Sequence, residues 1–212
     1  MVKLTVNNMP VEVEDGATIL DAATKTGIKI PTLCHMHLDS FDVEHRCGSC
    51  RICVVEVEGR RNLAPSCCTP ASEGMKVKTN SIRAINARRT IMDLILSNHP
   101  KDCLTCERNG SCDLQKLAGE MDLHQILYEG EMSKRKKDLS SKAIVRDTGK
   151  CIMCRRCETA CNVMQTVGIL SGIGRGFDVT VGTAGRRLLE DTECTFCGQC
   201  VAVCPTGALT EK

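Results

Sequence analysis

The sequence predicts an α+β chain of 212 residues made of three small units in tandem. Three observations predict it. The first 79 residues alternate short β-patterned runs with one helical run, the next 60 hold two helical runs around a cysteine-bearing loop, and after residue 139 one four-cysteine pattern occurs twice. Cysteine dominates the composition, at 17 residues, against one Tyr, three Phe and no Trp. Large rings are therefore too few to build a substantial apolar core, and something else must help hold the chain together. The N-terminal run Met1 to Asn8 lacks a basic stretch followed by an apolar one, and nowhere do 18 apolar residues run together. These features predict a cytoplasmic protein without membrane insertion. Thiols stay reduced in that compartment and their number is odd, so metal ligation is expected over a disulfide framework.

In the first unit, residues 1–79, Lys3 to Val6 and Pro10 to Val13 read as strands joined by an Asn7-Asn8 turn. A helix is expected from Thr18 to Thr26, closed by Gly27. After the cysteine loop 34–50, Ile52 to Val57 and Met75 to Lys78 read as further strands. Two strands, a helix, a loop and more strands describe a unit of the ubiquitin-like, β-grasp kind. The second unit, residues 80–139, begins with a helix over 81–98, capped by Asn80 or Ser81, with Ile82, Ile85, Met92 and Leu96 near helical spacing and His99-Pro100 as the stop. A second helix is expected from Asp113 to Tyr128. The basic run Lys134, Arg135, Lys136, Lys137 reads as a solvated linker rather than an anionic docking patch.

The third unit, residues 140–212, contains the repeat: Cys151, Cys154, Cys157 and Cys161 recur as Cys194, Cys197, Cys200 and Cys204, each 43 positions later. C-x2-C-x2-C-x3-C sets three thiolates on a tight loop around one iron–sulfur cubane, while the fourth, on the ensuing helix, belongs to the other cubane. One [4Fe-4S] cluster is thus assigned to Cys151, Cys154, Cys157 and Cys204, and another to Cys161, Cys194, Cys197 and Cys200. The first motif ends Cys161-Asn162 where the second ends Cys204-Pro205, a departure that leaves ligation intact. Zinc sites use separated pairs and have no need of a three-thiol loop with an exchanged fourth ligand.

In the middle unit His99, Cys103, Cys106 and Cys112 form H-x3-C-x2-C-x5-C, and three thiols needing a fourth donor assign His99 to a third [4Fe-4S] cluster. A neutral imidazole in place of a thiolate makes the cluster easier to reduce, and Lys101 and Arg108 push the same way. The first unit offers six cysteines for a site that needs four. Cys34, Cys50, Cys53 and Cys67 are assigned to a [2Fe-2S] cluster, with Cys47 competing in the Cys50 pair, Cys68 competing with Cys67, and the two surplus thiols read as ordinary cysteines. A Rieske pattern is not met by His35 or His37.

One [2Fe-2S] and three [4Fe-4S] clusters with their ligands contribute a charge of about −7, which turns the formal +2 of the chain into about −5. Nucleic-acid binding then has no electrostatic basis and, with so few rings, no stacking platform. Gly172-Ile173-Gly174-Arg175-Gly176 lacks the third spacing of a dinucleotide loop and reads as a turn leading to a strand over Phe177 to Val181, so no flavin or NAD is expected on this chain. No paired catalytic carboxylates or nucleophile–base pair stand out, and no catalytic residue is assigned.

The order of these motifs resembles the N-terminal region of iron-only hydrogenases and the large peripheral iron–sulfur subunit of respiratory complex I. Ile30-Pro31-Thr32-Leu33-Cys34, Cys53 to Gly59, and Thr69-Pro70 with Glu73-Gly74-Met75 are similar to segments of NAD-linked, electron-bifurcating hydrogenase subunits. The resemblance spans the chain. It implies an electron-transfer arm, non-catalytic alone and free-standing because no catalytic domain follows Cys204, working beside a flavin- and NAD(P)-binding subunit and a second redox partner such as ferredoxin, a hydrogenase or a transhydrogenase module. Formate dehydrogenases with a related front end are an alternative, as is a zinc-stabilised interaction module.

Overall fold

The computed structural model describes residues 1–36, 48–134 and 136–212. Cys47, His37 and Arg135, each weighed above, lie outside the described residues. The chain is mixed α and β and divides into two compact units, residues 1–32 with 50–92, and residues 33–49 with 93–212.

In the first unit β1 (Val2–Val6) and β2 (Met9–Val13) pair antiparallel, with Val6 opposite Met9. The turn requires left-handed backbone at both central positions, and asparagine tolerates it: Asn7 and Asn8 have φ of 48° and 67°. Asn7 is fastened from outside, donating from Nδ2 to Thr79 Oγ1 at 2.7 Å and accepting from the Thr79 amide at 2.8 Å. Helix α1 (Ile19–Lys25) starts in a capping box, in which the Asp21 amide donates to Thr18 Oγ1 and the Thr18 amide to the Asp21 carboxylate. Strands β3 (Val54–Val57), β4 (Ala64–Pro65) and β5 (Lys76–Lys78) complete a sheet of order β2-β1-β5-β3-β4. Only the β1–β5 pair is parallel. Val6, Ile19, Ala22, Ala23, Ile52 and Val55 are fully buried.

Helix α2 (Ile82–Ser97) is capped by Ser81, whose Oγ accepts from the Ala84 amide at 3.2 Å. Its buried positions differ from the apolar spacing. Ile82 and Ile85 are exposed, while Ala84, Arg88, Met92 and Asp93 are buried. Two of those four carry charge, each hydrogen-bonded, which permits burial of a position that hydrophobicity alone assigns to solvent.

In the second unit helix α3 (Asp113–Glu120) ends eight residues before the expected Tyr128. Asp122 adopts φ 55° and the Leu123 amide returns to the Ala118 carbonyl, a C-terminal closure that a short polar side chain makes accessible without glycine. The described lysines of the basic run are exposed as expected, but its end is strand rather than linker: β6 (Lys137–Asp138) pairs with β7 (Ile144–Asp147), and β7 with β10 (Leu209–Glu211), all antiparallel. Asp138 is buried there, 3.0 Å from Arg146. The glycine-rich segment forms β8 (Ser171–Ile173), paired with β9 (Thr180–Gly182), so the strand expected from Phe177 begins three residues later.

The internal repeat is visible in the backbone. Helix α4 (Arg156–Thr159) and helix α5 (Gln199–Ala202) begin 43 positions apart. Ahead of them Met153 and Arg155 have φ of 56° and 62°, and their counterparts Phe196 and Gly198 have 54° and 74°. Three of these four are not glycine, so both loops hold an uncommon conformation at the same two places between cysteines.

Candidate metal centres

Two cavities of the second unit match the two crossed cysteine sets. One, enclosing about 460 Å³ including its open mouth, is lined by Cys151, Cys154, Cys157 and Cys204. The other, about 450 Å³, is lined by Cys161, Cys194, Cys197 and Cys200. Apolar side chains supply part of the remaining walls, among them Leu170 and Leu209, which line both cavities, and polar residues such as Arg155 and Thr206 in the first and Gln199 in the second supply the rest. The electrostatics report the same grouping. Burial, then the proximity of Cys204 and Cys151, pushes the Cys154 thiol up to about 12. Burial, then Cys161, Cys194 and Cys197, pushes Cys200 up to about 12. Cys157 is raised well above the ordinary thiol value by burial, with Cys154, Cys151 and Cys204 of its own set and Cys200 of the other adding to it.

Thiolates crowded into largely apolar surroundings repel one another, so the charged form of buried Cys154 and Cys157 needs a cationic centre beside it. The donor chemistry therefore fits iron–sulfur clusters, whose irons supply the missing positive charge. Among the described residues no three His, Cys, Asp or Glu side chains close on a point where a single ion would sit. The thiols of the repeat line cavities instead.

The third site lies around the 3₁₀ turn Cys103–Thr105 and the start of α3, where Cys112 is the N-cap. Burial raises Cys112, and Cys106 and Cys103 add to the rise. His99 Nδ1 is 3.1 Å from the Pro100 carbonyl, whereas its Nε2 is buried and makes no hydrogen bond. A proton on Nδ1 donated to that carbonyl leaves the Nε2 lone pair for a metal, the arrangement typical of a ligating imidazole. Burial holds His99 below the ordinary imidazole value, which keeps it neutral as a ligand must be. His99, Cys103 and Cys112 line one cavity, of about 1450 Å³ and open to solvent.

Sequence reasoning missed a residue at this site. Lys150 Nζ lies 3.4 Å from Cys106 Sγ, across 44 positions of chain that no short motif spans. The two cations that the sequence did single out stand differently: Lys101 is exposed, and Arg108 donates to the carbonyls of Ser111 and Cys204 at 3.4 and 3.2 Å.

Of the first-unit cysteines, Cys50, Cys53 and Cys67 are buried, and Cys53 Sγ is 3.3 Å from Cys67 Sγ. Cys68 instead is exposed, its thiol 3.9 Å from the Pro65 carbonyl. Cys34, in the second unit, is buried. Buried Arg88 lies close enough to Cys53 for their charges to interact, and donates from Nε and a terminal amine to the Val54 carbonyl at 2.9 and 2.7 Å. Arg88→Met is expected to destabilise the first unit by about 2–3 kcal/mol, since a charged donor is lost and a buried carbonyl is left unpaired; urea unfolding checks it.

Comparison with known proteins places these sites in context. Residues 1–81 match the family of the 2Fe-2S iron-sulfur cluster binding domain, 88–126 the NADH-ubiquinone oxidoreductase-G iron-sulfur binding region, and 190–210 the 4Fe-4S binding domain. The crystal structure of an NAD+-reducing [NiFe]-hydrogenase in the H2-reduced state superposes over all of the chain and 87% of its own, with TM-score 0.88 and 30% identity. The chain belongs to the iron–sulfur subunit family of NAD-linked hydrogenases and complex I-type oxidoreductases. This iron–sulfur subunit is 56% identical over its full length to NADP-reducing hydrogenase subunit HndD of Solidesulfovibrio fructosivorans, covering 36% of that protein. It is 33% identical, again over its full length, to the mitochondrial NADH-ubiquinone oxidoreductase 78 kDa subunit of Neurospora crassa, covering 28%. The chain thus spans about a third of these curated relatives. Among its described residues, no helix is long and apolar enough to cross a membrane.

Proposed function

We propose that this iron–sulfur subunit relays single electrons between a flavin- and NAD(P)-binding partner and a second redox partner, a hydrogenase, transhydrogenase or ferredoxin, without catalysing bond chemistry itself. The observation that carries it is the pair of apolar cavities, each lined by one crossed set of four cysteines. We divide the chain functionally into a β-grasp [2Fe-2S] domain (1–79), a His/Cys3 [4Fe-4S] domain (80–139) and a double [4Fe-4S] ferredoxin domain (140–212), in line with the spans of the matched families. The ligand sets are Cys34, Cys50, Cys53 and Cys67; His99, Cys103, Cys106 and Cys112; Cys151, Cys154, Cys157 and Cys204; and Cys161, Cys194, Cys197 and Cys200. Exposure of Cys68 beside buried Cys67 supports the chosen register at that pair. Bound there, the clusters supply reversible one-electron acceptance and donation. The protein's own part is to hold the sulfurs, to exclude water with residues such as Leu170 and Leu209, and to present a neutral imidazole at His99.

Anaerobic preparations should contain about 14 iron atoms per chain and show EPR signals of both cluster types after reduction. Zinc at stoichiometric level, with neither colour nor EPR signal, would overturn the proposal. Cys53→Ser should abolish the [2Fe-2S] signal while Cys47→Ser leaves it. His99→Cys should keep the middle centre but lower its potential, because a thiolate adds negative charge, whereas His99→Ala should lose the centre; EPR-monitored redox titration reads both.

A further inference from the structure

Lys150 is placed with unusual definition for a lysine. Its side chain is only 16% exposed, and its ammonium sits 3.4 Å from Cys106 Sγ and 3.8 Å from Asp102 Oδ2. Its backbone is pinned as well. The Lys150 carbonyl accepts from Thr206 Oγ1 at 2.8 Å, and the next residue, Cys151, belongs to the neighbouring thiol set. Space for the contact is kept by Gly207, where an added Cβ would come within 2.8 Å of Cys106 Sγ and 3.3 Å of Lys150 Cδ. A side chain there would push the sulfur and the lysine stem aside.

We infer that Lys150 is the potential-setting residue of the centre assigned to His99, Cys103, Cys106 and Cys112, its partly covered ammonium against the Cys106 sulfur favouring the reduced state. The inference rests on that ligand assignment. A cation bonded to a ligand sulfur stabilises the electron added on reduction, and the interaction grows as the surroundings exclude water. Lys101, which the sequence offers for the same purpose, is exposed and screened. Arg108 turns one terminal amine to the carbonyls of Ser111 and Cys204, and unlike Lys150 it makes no hydrogen bond to a cysteine sulfur among the described residues. Asp102 offsets part of the lysine charge but is itself 45% exposed, so its field is the more weakened of the two.

The test is an EPR-monitored redox titration of the cluster-loaded full chain in Lys150→Gln and Lys150→Arg. With the potential poised at the wild-type midpoint of this centre, Lys150→Gln should lower its ratio of reduced to oxidised form about tenfold, with a smaller change in the centre assigned to Cys161, Cys194, Cys197 and Cys200. Lys150→Arg, which keeps the charge, should hold most of the wild-type ratio. An unchanged ratio in Lys150→Gln, an equal fall in Lys150→Arg, or loss of the centre in Lys150→Gln would overturn the inference, the last because the role would then be structural. Cys106→Ser run alongside separates the two levels. If it leaves every centre in place the ligand assignment fails, and if it removes the middle centre while Lys150→Gln shifts nothing, only the role of Lys150 fails.

Discussion

Cys204→Ala should remove about four iron atoms per chain and the signal of the centre shared with Cys151, Cys154 and Cys157, while the centre of Cys194, Cys197 and Cys200 survives. This is the outcome that separates crossed from uncrossed ligation, because Cys204 sits in the second motif in sequence yet lines the cavity of the first. Uncrossed ligation predicts the opposite loss. Cys161→Ala is the mirror experiment, since Cys161 lines the cavity of the second motif. The two variants measured together by iron content and EPR leave no third explanation: each should spare the centre named by its own three-cysteine loop.

Asp138→Ala should destabilise the second unit by about 3–5 kcal/mol, a large part of the stability of an ordinary domain. The Asp138 side chain is 1% exposed and that of Arg146 is 8% exposed, so removal of the carboxylate strands a buried guanidinium. It also strips an acceptor from the Leu189 amide at 3.0 Å and from the Ser140 amide and hydroxyl at 3.1 and 2.7 Å. Desolvation alone would raise this carboxyl; hydrogen bonds from Ser140, Arg146 and Leu189 outweigh it and hold the group below the usual carboxylate range. A carboxyl whose folded value is depressed contributes stability above its unfolded value, about 3.9, and loses that contribution as pH falls toward the folded one. The gap between wild type and Asp138→Ala in urea midpoints should therefore be widest near neutrality and narrow in acid. A constant gap across that range would mean that Asp138 acts by shape rather than charge.

These cases mark how far the sequence was legible. Cysteine spacing and turn residues are short-range information, so the grouping of the repeat cysteines that line each cavity and the turn at Asn7-Asn8 could be read directly, as could a helix beginning near Thr18. What escaped depends on partners distant in the chain. Arg88 and Asp93 look like solvent positions on α2 until Arg88 is seen to donate to the Val54 carbonyl and Asp93 to accept from the Leu127 amide. Asp138 reads as the tail of a basic linker until Arg146 meets it, and Lys150 has no pattern linking it to Cys106. The length of α3 escaped for a local reason, since the residue at positive φ just beyond its end is Asp122 rather than a glycine, while Gly119 sits within the last turn.

The interlocking of the two cysteine loops bears on how the protein is made. Translation delivers Cys151, Cys154 and Cys157 well before Cys204, and β10, which closes against β7, comes later still. A growing polypeptide that has emerged only as far as residue 161 thus holds three of the four cysteines that line one cavity and one of the four that line the other. On the proposed ligand sets, neither centre of this region can be completed until synthesis has passed residue 204.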